Sequence, residues 1–323
     1  MRKKLFITFI ISGLLLTCTG CKVDRANIAV TVYPVKYLVE RIGGNNVKVE
    51  NISEDGAIQT ARTKKKFEKT LEDSKALFYI TELEPYFDVY SSDIRSNKVS
   101  LVNLANKSVF YKFQRYTTTV ADGQSAVVES AYYDGDVFKD IDVYKNDPMI
   151  WMDPISMISA AEIIRDYLIE NYPEYKVAFK ENYEKLEMDL TRLDMDFQDL
   201  KSTENKISFV SMTPSFGPWQ KSYGVSLYPI CLSKFGALPS EAQLAVIEQR
   251  IVDEGVKYIA YEPNLNAEMK KMYERVRDDL NLTEVSISNL SSLSSKQKKE
   301  NKDYLTIMYE NLSILEKMGN NDI

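Results

Sequence analysis

The chain has 323 residues, 41 basic and 47 acidic side chains, a formal net charge of −6 and no histidine. Without histidine there is neither a Ser-His-Asp nor a Cys-His nucleophile, and no imidazole for zinc. An acidic chain with no basic stripe argues against nucleic acid as a partner, and no glycine-rich phosphate loop or HExxH motif occurs.

Arg2, Lys3 and Lys4 precede an apolar run from Leu5 to Leu16, and the segment ends in Cys18-Thr19-Gly20-Cys21. The run is too short to span a membrane as a mature helix. The pattern predicts a lipoprotein signal peptide over 1–20 whose removal leaves Cys21 as the diacylated amino terminus, with Cys18 a second candidate. The expected location is extracytoplasmic, with the membrane held through that lipid. Cys231 then stands alone, so the mature chain has no internal disulfide and must rely on hydrophobic cores, with length enough for two domains.

Residues 21–27 read as a polar tether. IAVTVY at 28–33 is a β-branched apolar run and predicts a buried strand; Pro34 opens a helix stopped by Gly43-Gly44. Strand 47–52, a loop from 53 to 65, helix 67–74 and strand 76–80 follow, the grammar of an α/β domain with a parallel sheet. Residues 103–147 are rich in tyrosine and lack helical periodicity, predicting an extended excursion with two short strands. Its tyrosines either line a ligand groove or pack their rings and leave the hydroxyls in water.

Asp147-Pro148 makes a turn, and Asp153-Pro154 predicts the cap and first turn of a helix running to 171. A longer helix is expected over 173–201, about 40 Å at 1.5 Å per residue. A second α/β unit then reads as strand 207–212, a turn, strand 224–230, helix 240–254, strand 256–261, helix 267–280, strand 283–288, a serine-rich loop and a last helix from 304. The expected fold class is α/β: two α/β domains (28–172 and 204–323), each with a mainly parallel sheet, joined by one long rigid helix (173–203).

Seven segments in this order carry a resemblance: TVYPVKYLVERIGGNNVKV (31–49), LEPYF (83–87), DPMIWMDP (147–154), the tyrosine-rich stretch 172–183, FVSMTPSFGPWQKSYGV (209–225), LPSEAQLAVIEQRI (238–251) and YIAYEPNLN (258–266). Together they resemble the metal-binding solute-binding lipoproteins, cluster A-I type, of zinc and manganese ABC importers. The resemblance implies an ABC permease as partner and no enzymatic activity. The family's turn usually reads Asp-Pro-His-Val-Trp-Leu-Asp-Pro with the histidine on the metal, so Met149 occupies a ligand position. Carried over in the same way, the other ligand positions fall at Gln59, Thr213 and about Ser288, with Met212 and Glu262 as cleft neighbours.

All four positions are uncharged, and zinc and manganese favour imidazole, thiolate or carboxylate. No metal ligand is therefore assigned. Three functions stay open: a receptor that kept the cleft and changed its ligand to a small organic solute; a metal-ion receptor with a rebuilt site, in which Met149, Met152 and Met212 would suit Cu(I); and a surface adhesion module without solute.

Overall fold

The computed structural model describes residues 26–323 apart from 81–82, 84, 108–110 and 122–123. The signal peptide and the lipidation expected at Cys21 lie outside the described residues. Among those described, no helix is long and apolar enough to cross a membrane.

The first domain is built on strands β1 (Ala26–Val30), β2 (Val47–Asn51), β3 (Ala76–Tyr79) and β4 (Ser100–Asn103), all parallel in the order β2-β1-β3-β4. Successive side chains of a strand point to opposite faces. Ile28, Val30, Ala76 and Phe78 accordingly enter the main core, while Ala29 and Leu77 face a smaller one with Phe67, Leu71, Tyr86 and Ile94. Helix α1 (Tyr33–Gly43) starts at Pro34 and stops at Gly44, whose φ of +53° suits glycine. Helices α2 (Phe67–Glu72), α3 (Pro85–Val89) and α4 (Ser91–Ser96) lie on the sequence between β2 and β4. The excursion contains an antiparallel hairpin, β5 (Arg115–Ala121) and β6 (Gln124–Ser130), with β6 exposed along nearly its whole length.

Asp153 caps α5 (Pro154–Asn171), accepting the Ile155 N–H at 3.1 Å. Helix α6 (Lys176–Gln198) is the long connector, about 35 Å at 1.5 Å per residue. Its first half packs on α1 and α5, and Leu190, Leu193 and Phe197 carry the core onward into the second domain.

That domain holds β7 (Ser208–Ser211), α7 (Gly217–Tyr223), β8 (Ser226–Pro229), α8 (Glu241–Asp253), β9 (Tyr258–Tyr261), α9 (Ala267–Asp279), β10 (Thr283–Ser286), α10 (Ser295–Lys299) and α11 (Tyr304–Asn320). Its sheet is parallel, in the order β10-β9-β7-β8. A capping box of Ser240 and Gln243 starts α8.

The architecture is thus two α/β domains with parallel sheets and a long connecting helix. Some local expectations change. The segment 213–219 is more than a turn, because Pro218 starts α7, which buries Trp219 and Tyr223. Strand β1 ends at Val30 rather than Tyr33. The excursion's tyrosines pack their rings, yet their hydroxyls are not left in water: Tyr133 donates to the Pro229 carbonyl at 2.9 Å and Tyr144 to that of Leu83 at 3.0 Å.

Candidate functional site

In each parallel sheet the loops after the carboxyl ends of the strands gather the binding groups, and here the two sets of loops face one another. Trp151 donates its indole N–H to the Asn289 carbonyl at 2.8 Å, and Tyr304 donates to the Trp151 carbonyl at 2.6 Å. Trp219 reaches the Met152 carbonyl at 2.8 Å. On the other side of the cleft, the Ser291 and Ser292 hydroxyls each donate to the Gly56 carbonyl at 3.1 Å. The turn at 149–153 is therefore bonded into the second domain by neutral groups, and the loop at 53–60 by hydroxyls and by the Asp55–Lys298 ion pair.

At the centre lies Glu262, just after β9 and 1% exposed. Its Oε1 accepts the main-chain N–H groups of Met212 (2.8 Å) and Thr213 (2.9 Å), and its Oε2 accepts the Thr213 hydroxyl (2.5 Å) and the Asn289 amide (2.6 Å). Burial pushes this carboxyl up, and the four donors oppose that rise. Asn289 in turn takes the Asn264 amide on its Oδ1 at 2.7 Å. Thr213, Met212 and Glu262 are thus brought together. Ser288 turns elsewhere: its N–H and carbonyl are held by Asn311, and its hydroxyl accepts from Leu290. The next residue, Asn289, reaches Glu262, and nothing in the sequence reading singled it out.

Met149 is fully buried in the turn, its N–H donating to Asp147 Oδ1 at 3.0 Å. Asp147 is itself buried, and burial pushes its carboxyl up to about 7 against the opposing pull of the Met149 N–H. A Cβ on Gly217 would lie 1.8 Å from Asp147 Oδ2, so this acid is wedged against the start of α7. Gln59 sits in a helical turn over 58–60, 1% exposed, and neither its Oε1 nor its Nε2 has a hydrogen-bond partner. Cys231 is buried, its thiol pushed up to about 12 by burial and then by Glu262. It suits a packed apolar residue rather than a ligand.

Tested against a zinc or manganese ion, these groups do not fit. The single carboxylate of the network is already saturated by four protein donors, and Gln59, Met149, Thr213 and Ser288 offer an amide, a thioether and two hydroxyls. Among the described residues, no group of three or more Cys, Asp or Glu could hold a metal.

The chain is 25% identical over 304 residues to the zinc-binding protein AdcA of Streptococcus pyogenes serotype M6, covering 90% of this chain. It spans about half, 55%, of that relative's length. Among solved structures, the Zn(II)-bound ZnuA-like domain of Streptococcus pneumoniae AdcA superposes with a TM-score of 0.67 at 22% identity, covering 92% of this chain and 99% of that one. The laminin-binding protein Lmb of Streptococcus agalactiae, described as an adhesin with metal-transporting activity, superposes at 0.71 with 18% identity over 92% and 100%. These likenesses show the shared fold. The profile of the periplasmic component A of zinc-uptake complexes, ZnuA, matches residues 28–318, and the chain belongs to that family.

Proposed function

We propose that this protein is a lipid-anchored, extracytoplasmic solute-binding receptor of an ABC importer in which the inherited metal ligands have been replaced and the ligand changed. The observation that carries this reading is the state of Glu262. In a dication site a carboxylate offers its lone pairs to the ion, whereas here two main-chain N–H groups, a hydroxyl and an amide occupy them. The positions at Gln59, Met149, Thr213 and Ser288 add no charge to offset a dication. The anchor is Cys21, and the expected partner is a permease of the importer class used by the family.

The test is metal binding by the protein purified without a histidine tag. Zinc, manganese and Cu(I) at equimolar amounts are expected to leave no bound metal after gel filtration and no change in thermal midpoint. Saturation of a real site at ~100 times its dissociation constant would stabilise by about 2.7 kcal/mol, well within detection. Stoichiometric retention of one ion, lost in Met149→Ala, would refute the proposal in favour of a rebuilt metal site.

A further inference from the structure

The first domain keeps two buried polar side chains on its cleft side that the fold leaves unsatisfied. Gln59 is buried with both head-group atoms unpartnered, and the Thr31 hydroxyl, buried just beyond β1, is also unpartnered. Both residues follow the carboxyl ends of adjacent strands, on the cleft side of the first domain. A buried donor or acceptor without a partner costs about 1–3 kcal/mol. A folded chain that carries three such atoms on one edge of its cleft bears a cost that an apolar side chain would remove.

Gln59 is held in place. The loop after β8 covers it: a Cβ on Gly236 would meet Thr60 Cγ2 at 2.8 Å, Met269 Cε at 3.0 Å and Gln59 Cβ at 3.3 Å, and the φ of +70° at Gly236 keeps that position for glycine. Thr31 is fixed too, its carbonyl accepting the Ser53 hydroxyl at 2.7 Å and the Tyr86 hydroxyl at 3.4 Å.

The surroundings limit what can pair with the amide. Among the described residues no lysine or arginine is buried, so an anion has no buried counter-charge. Among the described residues a cation has three buried carboxylates: Glu262, whose oxygens are already taken, Asp147, which holds the Met149 N–H, and Asp153, which caps α5 and accepts the Ser156 hydroxyl. A carboxamide presents an acceptor and a donor side by side, and its complement is an uncharged edge with an adjacent N–H and C=O. From this, and resting on the receptor reading above, we infer that Gln59 is the specificity-determining residue of the cleft and pairs edge to edge with a neutral solute bearing a lactam or primary-amide group.

The experiment follows thermal unfolding of the full chain in detergent as 2-pyrrolidone is titrated, with N-methyl-2-pyrrolidone, which lacks the N–H, as the matched control. The apparent affinity for 2-pyrrolidone is expected to be at least tenfold tighter than for the N-methyl compound. Gln59→Met, which keeps length and removes both polar atoms, is expected to abolish the difference; Gln59→Asn, which withdraws the same groups by one methylene, is expected to weaken it at least tenfold. Equal response to the two lactams, no response to either, or a preference that survives in Gln59→Met would overturn the inference while leaving a metal-free receptor intact. Saturable stabilisation by equimolar zinc would overturn the reading beneath it.

Discussion

Asp147 lends itself to a quantitative test. It is buried without a counter-charge, and burial lifts its carboxyl from the ordinary 3.8 to about 7. Lifting it that far, at about 1.36 kcal/mol per pH unit, amounts to about 4 kcal/mol between the two protonation states. The sign follows from the direction: a folded pKa above the unfolded one means the native state holds its proton more tightly. The contribution is therefore fully present below about pH 4 and lost as pH rises through 7. Asp147→Asn keeps an acceptor for the Met149 N–H and cannot ionise, so it should match the wild type at pH 4 and exceed it by about 3–4 kcal/mol at pH 8. Urea unfolding of both proteins at pH 4, 6 and 8 measures this. Taking the difference between the two removes the parallel contributions of Glu262 and Asp153, whose carboxyls burial also raises. A difference that stays constant across that range would refute the assignment of a protonated, wedged Asp147.

Other expectations concern the same cleft. Gln59→Met should stabilise the ligand-free protein by about 1–3 kcal/mol in urea unfolding, since it removes two unpaired buried atoms. Glu262→Ala should destabilise by about 2–4 kcal/mol, because it strands four donors, and Glu262→Gln by less. Gly217→Ala should cost about 1–3 kcal/mol through overlap with Asp147, and a double-mutant cycle with Asp147→Ala should show most of that cost relieved. Cys21→Ala should release the chain from the membrane fraction, as judged by cell fractionation.

The parts of this fold that were legible in the sequence are those where burial and local chemistry agree. Strand 76–80 is an unbroken apolar run and 207–212 an apolar one interrupted only by two serines, and both sit centrally enough in their sheets to be covered on two faces. Asp153-Pro154 and Ser240 announce helix starts through side chains that cap them. Strand β4 and helices α3 and α4 went unread because they are short and half-buried, where neither period has room to show. Helix α7 was hidden behind a Thr-Pro-Ser-Phe-Gly-Pro run that looks like turn chemistry, and only the aromatic cluster of Phe197, Phe209, Phe216 and Trp219 makes a helix worthwhile there. In the site, the uncharged character of Gln59, Met149, Thr213 and Ser288 could be read directly. The saturation of Glu262 and the role of Asn289 could not, because they depend on which loop carbonyls and amides face each other once both sheets are built.

The connecting helix α6 belongs to both domains. Asn182 donates to the Ile42 carbonyl and Asp189 pairs with Arg41 on one side, while Asp194 accepts from Tyr223 and Asp196 from Tyr309 on the other. Swinging the halves apart would tear one of these contact sets and expose core, whereas displacing the loops at 53–60 and 231–239 disturbs a smaller set: a few hydrogen bonds, the Asp55–Lys298 and Asp142–Lys234 ion pairs, and the packing of Ile58 and Leu232. For a receptor of the kind proposed above, solute exchange would run through local breathing of these two loops, and residence time would follow loop stability rather than the rigid frame. The membrane partner expected under that proposal would then read the contour of those loops rather than the angle between the halves.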